Sequence, residues 1–121
     1  MRDIKMTQKL SEFNFLYLFG FSEITGNHLE RLLPILKGQT KKRSQIGIVL
    51  IHDGVIGINK KGRITKAMED LLSLEVLIFS MIPDLKARGI ALAQTHEKII
   101  PIEYDGLIDL LDNSIKIISW M

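Results

Sequence analysis

The chain has 121 residues, 46% hydrophobic and 25% charged, with a formal net charge of +2 and no cysteine. That length makes one domain, with core enough to fold without staples. The missing thiol excludes a disulfide framework, thiolate metal sites, iron–sulfur clusters and a cysteine nucleophile.

Residues 1–12 are polar and weakly patterned and are expected to be an N-terminal extension to a single domain spanning 13–121. Arg2, Lys5 and Lys9 precede an apolar run, loosely in the manner of a signal peptide. Glu12 and Asn14 flank or interrupt that run and no small-x-small cleavage site follows, so the expectation is a soluble cytoplasmic protein with no membrane partner. Phe13 to Phe19 is short, aromatic and almost continuously apolar, which predicts a strand buried on both faces. After turn residues at 20–27, Leu29, Leu32, Leu33 and Leu36 mark one stripe of a helix. Pro34 is expected to kink or shorten it, and Gly38 to close it.

Ile46 to Ile51 predicts a second buried strand, ended by His52-Asp53-Gly54. Ile64, Ala67, Met68, Leu71 and Leu72 form a cleaner helical stripe, and Val76 to Phe79 a third strand. Pro83 and Asp84 suit the first turn of a helix that stops near Arg88-Gly89. Ile99 to Ile102 reads as a short strand whose proline favours an edge. Asp105 is expected to cap a last helix with Leu107, Leu110 and Leu111 inward and Asn113 as its stop. Ile115 to Trp120 is the final strand. Such alternation predicts an α/β fold: a three-layer α/β/α sandwich on a mostly parallel sheet of about five strands.

The net charge conceals an asymmetry. Residues 1–66 carry 12 Lys/Arg against 5 Asp/Glu, whereas residues 67–121 carry 4 against 9. Two clusters, Lys41-Lys42-Arg43 and Lys60-Lys61-Gly62-Arg63, are either a patch for an acidic partner or solvated loops. No aromatic residue interleaves with them, so direct nucleic-acid binding is not expected.

Ligands of open α/β sheets bind beyond the carboxyl ends of the strands. The candidates there are Ser22, Thr25, Asn27 and His28 after strand one, His52 and Asp53 after strand two, and Ser80 after strand three. Each also has a plainer role, as Asn27 or Thr25 in capping a helix and His52-Asp53-Gly54 in making a turn. Neither a phosphate loop nor a dinucleotide fingerprint is present, and the histidines lack a third ligand at zinc spacing. A catalytic triad would need Ser22 or Ser80 with the adjacent pair His52 and Asp53, which cannot orient one another. No metal or cofactor is expected.

The stretch Ile48-Val49-Leu50-Ile51-His52-Asp53-Gly54-Val55 resembles the strand-then-Asp-Gly-Val segment of the DsrH/TusB family of sulfur-relay proteins. Asp84-Leu85-Lys86-Ala87-Arg88-Gly89-Ile90, then Ile99 to Leu110, then Ser119-Trp120 are similar to the segments that follow in that family. This resemblance implies a DsrE-like fold in an assembly with sister subunits of the DsrE/DsrF (TusD/TusC) kind, or with copies of itself. In such assemblies a persulfide sulfur passes between cysteines, for tRNA 2-thiouridine synthesis or for sulfur oxidation. The sister subunits carry their acting cysteine near the helix after strand three, where Ser80-Met81-Ile82-Pro83 stands here. A hydroxyl neither forms a persulfide nor ionises near neutral pH, so the expected role is a non-catalytic subunit. Phe21, Val55, Ile56 and Trp120 are its expected interface anchors. The alternative is a stand-alone homo-oligomeric module that binds a small anion or nucleotide.

Overall fold

The computed structural model describes residues 13–22, 27–58 and 64–121. The expected extension, 1–12, lies outside them, as do Thr25 and the second basic cluster with Lys60, Lys61 and Arg63.

Five strands, β1 (Phe13–Phe19), β2 (Ile46–Leu50), β3 (Leu77–Met81), β4 (Ile99–Ile102) and β5 (Ser114–Trp120), form one sheet in the order β4-β3-β2-β1-β5. Every pairing is parallel. The helices are α1 (His28–Lys41), α2 (Lys66–Ser73), α3 (Ile82–Ala87) and α4 (Tyr104–Asp112). The expected fold class stands, with the sheet entirely parallel.

Topology decides which helix covers which face. From β1 to β4 the chain steps in one direction, and right-handed crossovers then keep α1, α2 and α3 on one side. The step from β4 back to the far edge reverses the direction and puts α4 on the other side. Packing agrees with this. Leu29, Leu32, Leu33 and Leu36 of α1, Ala67, Met68 and Leu71 of α2, and Leu85 of α3 share one core with Tyr17, Ile48, Leu50 and Ile78. Leu110 of α4 closes a second core with Phe13, Leu16, Val49, Phe79 and Met81. Both cores are apolar, and such burial supplies the main driving force for folding.

Several elements differ from their sequence-based outline. Helix α1 runs through both Pro34 and Gly38 to Lys41. Pro34 removes the bond to the carbonyl of Glu30, but both residues lie on the exposed side of the helix. The stop comes instead at Arg43, which takes a left-handed φ of 63°. Strand β3 extends to Met81 and so takes in Ser80. At α4, Glu103 rather than Asp105 holds the capping position, and Asp105 accepts from the Gly106 amide at 2.9 Å.

Candidate functional site at the strand ends

Strand β2 ends where the Ile51 amide donates to the Phe19 carbonyl at 3.0 Å, and the chain then turns through a short 3-10 segment, His52–Val55. Gly54 crosses over the end of β1 so closely that a Cβ there would lie 2.2 Å from the Phe19 oxygen. Two residues before it, His52 has φ +50°, a left-handed conformation that costs a non-glycine residue about 1–3 kcal/mol.

Two residues of the next strand end hold that conformation in place. The His52 amide donates to Asp84 Oδ2 at 2.9 Å. Arg88, which caps the C-terminal end of α3, donates to Asp53 Oδ1 from Nη2 at 2.9 Å and from Nε at 3.2 Å. The same guanidinium lies 3.6 Å from Asp84 Oδ1 and donates to the Asp84 carbonyl at 3.2 Å. Asp53 is largely exposed, so its ion pair with Arg88 is worth no more than about 1 kcal/mol. Together, though, they clasp the loop after β2 to the helix after β3. Sequence reasoning placed Asp84 and Arg88 as helix punctuation only. Their i, i+4 spacing was the available signal that they act together.

The clasp leaves little for a ligand to use. Asp53 is engaged with Arg88, and the two carboxylates beside His52 oppose an anion. His52 itself is exposed. Ser80 was expected at this mouth and is corrected: it lies inside β3 beside Leu50, fully buried on the α1–α3 side, with no hydrogen-bond partner for its hydroxyl. His28 opens α1 with its ring stacked on Phe21, centroids 3.6 Å apart and planes 7° apart, and its Nδ1 is buried without a partner. Asn27 occupies the capping position of α1, but its side chain makes no capping bond. Among the described residues, no three His, Cys, Asp or Glu cluster to hold a metal ion.

The expected interface anchors separate into two groups. Val55 is corrected: it is fully enclosed in the α1–α3 core and has no surface for a partner. Phe21, Ile56 and Trp120 keep part of their surface, and Phe21 and Trp120 also pack against that core.

A cleft of about 650 Å³ opens at the opposite end of the sheet, lined in part by Arg43, Ser44, Gln45, Glu75 and Lys98. Its lysine is already committed. Lys98 Nζ donates to the carbonyls of Leu72 and, at 2.6 Å, Leu74, closing the end of α2, and burial lowers its pKa. Lys41, Lys42 and Arg43 are exposed at the C-terminal end of α1, where cations complement the helix dipole.

The described helices include none long and apolar enough to cross a membrane. Two solved structures share the architecture. The ychN protein from E. coli superposes with a TM-score of 0.74 at 11% identity, covering 89% of this chain and 99% of that one. MTH1491, a protein of unknown function from Methanobacterium thermoautotrophicum, gives 0.64 at 13% identity, covering 84% of this chain and 96% of that one. At such identities the likeness is one of fold. No curated protein is similar enough in sequence to match. The family model described as DsrH like protein, however, matches residues 22–116, a stretch that contains both halves of the clasp. The chain therefore belongs to the DsrH-like family.

Proposed function

We propose that this protein is a non-carrying subunit of a sulfur-relay complex, which acts by assembling with cysteine-bearing partners of the same fold. One observation carries the reading: a DsrH-like chain without a single cysteine. Relay of sulfane sulfur requires an S–S bond to the carrier, formed by a thiolate and broken by the next thiolate. Here the strand end that opens α3 presents Ser80, Met81 and Ile82. Serine cannot make the S–S bond, and its hydroxyl is sealed from solvent. What this end offers instead is a braced platform. The clasp of Asp53, Asp84 and Arg88 fixes its outline, and Phe21, Ile56 and Trp120 give it partly exposed apolar area. The asymmetry of charge between the two halves of the chain supports complementary docking, which steers encounter and orientation.

Native mass spectrometry of the protein purified from its own host tests this. The expected result is a stoichiometric complex with small cysteine-containing subunits, and no uptake or release of persulfide sulfur by the isolated chain. Recovery with copies of itself alone, or sulfur turnover by the isolated chain, would overturn the reading.

A further inference from the structure

The segment that follows β2 is built like a hinged piece. It runs between two buried isoleucines, Ile51 and Ile58, which anchor its ends in the molecule. Directly inside each anchor stands a residue with positive φ, His52 at +50° and Gly57 at +95°. A few such residues at the ends of a loop can absorb the dihedral changes of a swinging motion. Between them the Ile56 amide donates to the Asp53 carbonyl at 3.0 Å, a bond that would travel with the segment.

Three observations show that its closed position is held rather than relaxed. His52 keeps a left-handed backbone that a non-glycine residue adopts only at a cost. The segment packs on β3 and α3, and in β3 the fully buried Ser80 hydroxyl has no partner. Buried polar groups left unpaired are rare in folded proteins and call for an explanation. Finally, the bonds that fasten the segment to α3, from the His52 amide to Asp84 and from Arg88 to Asp53, lie at the surface, where water competes for them. Opening would remove both internal costs, since His52 could relax and Ser80 would meet water. The burial of Val55 opposes opening and keeps the closed state dominant.

We propose that residues 52–57 form a gate over the end of β3, hinged at His52 and Gly57 and latched by Arg88, whose opening uncovers Ser80. The braced platform is the closed state of this gate. The open state is a minor population. It bares one hydroxyl beside Leu50, on the face of the sheet from which Val55 withdraws. A space of that kind suits a small, largely apolar ligand with one hydrogen-bonding group. The gate is a property of this chain alone and does not depend on the relay reading.

Because the chain has no cysteine of its own, a single introduced thiol can report the opening. In the full chain, Ser80→Cys places that thiol under the gate, and Ile48→Cys places it in the fully buried middle of β2 as a control. Dithiodipyridine should label Ser80→Cys at least about tenfold faster than Ile48→Cys, because a local opening lies well below global unfolding in free energy. Adding Arg88→Gln, which removes the latch, should speed labelling of Ser80→Cys by about threefold to fivefold. Should Ser80→Cys fail to fold, amide hydrogen exchange decides. Ser80→Ala removes the orphaned hydroxyl and should slow exchange of the Ile56 amide by about fivefold or more. Equal labelling of the two thiols, labelling of Ser80→Cys that Arg88→Gln does not accelerate, or an Ile56 amide indifferent to Ser80→Ala overturns the proposal.

Discussion

A methyl group added at Gly54 would sit 2.2 Å from the carbonyl oxygen of Phe19, and neither side can yield cheaply. That oxygen is already bonded to the Ile51 amide, and Val55 beside the glycine is locked in the core. Gly54→Ala is therefore expected to destabilise the fold by about 1–3 kcal/mol, as overpacking does, read as a lower urea midpoint with an unchanged slope. Tyr17 makes a different demand. Its ring is buried and its hydroxyl donates to Gln39 Oε1 at 2.8 Å, and burial raises its pKa. The unfolded tyrosine ionises near its ordinary 10.0, whereas the folded one holds its proton longer. Above that pH the unfolded state binds fewer protons, so stability present in full below pH 10 falls as pH rises through 10 and beyond. Tyr17→Phe should lose about 1 kcal/mol at neutral pH by leaving Gln39 unpaired, and should flatten this alkaline decline. Equilibrium denaturation at a series of pH values measures both effects.

Among the elements, α1 shows how a local rule gives way. Proline and glycine inside its span argued for a short helix, yet Leu36, buried against the sheet, carries it past the proline, and it runs on through Gly38 to Lys41. Tertiary burial outweighs a lost hydrogen bond on an exposed face. Gly38 is thus a residual weakness, since a side chain there would meet open space. Gly38→Ala is expected to stabilise the protein by about 0.5–1 kcal/mol and to raise the melting temperature in calorimetry. The strand segments were more legible. Apolar runs from Phe13 and Ile46 marked buried strands, and Pro101 marked the run from Ile99 as an edge, because neither signal required knowledge of neighbours. Ser80 was misplaced, since a single polar residue at a strand end reads as loop when the strand runs on through Met81. Burial of its unpaired hydroxyl is visible only in three dimensions.

For the whole molecule, alternation of strand and helix was enough to give the layered architecture, because crossover handedness restricts the topologies available. Strand order was not readable, since no pattern within β5 announces that it returns beside β1. The clasp was hidden for a related reason. Asp53 and Arg88 lie in separate loops that approach only after β2 and β3 pair, and each had an adequate local explanation as turn or helix end. The family segments that contain them nonetheless pointed to the correct fold, and the structure supplies a physical basis: they brace one another.

The return of β5 also orders events in time. The first strand is synthesised early, but its outer side is filled only when the last strand emerges, with Phe13 beside Ser114 and Phe19 beside Trp120. Until then a strand made almost wholly of aromatic and aliphatic residues has an open flank. Such distant pairing slows folding and lengthens the exposure of sticky edges, so the nascent protein depends on the speed of its final closure.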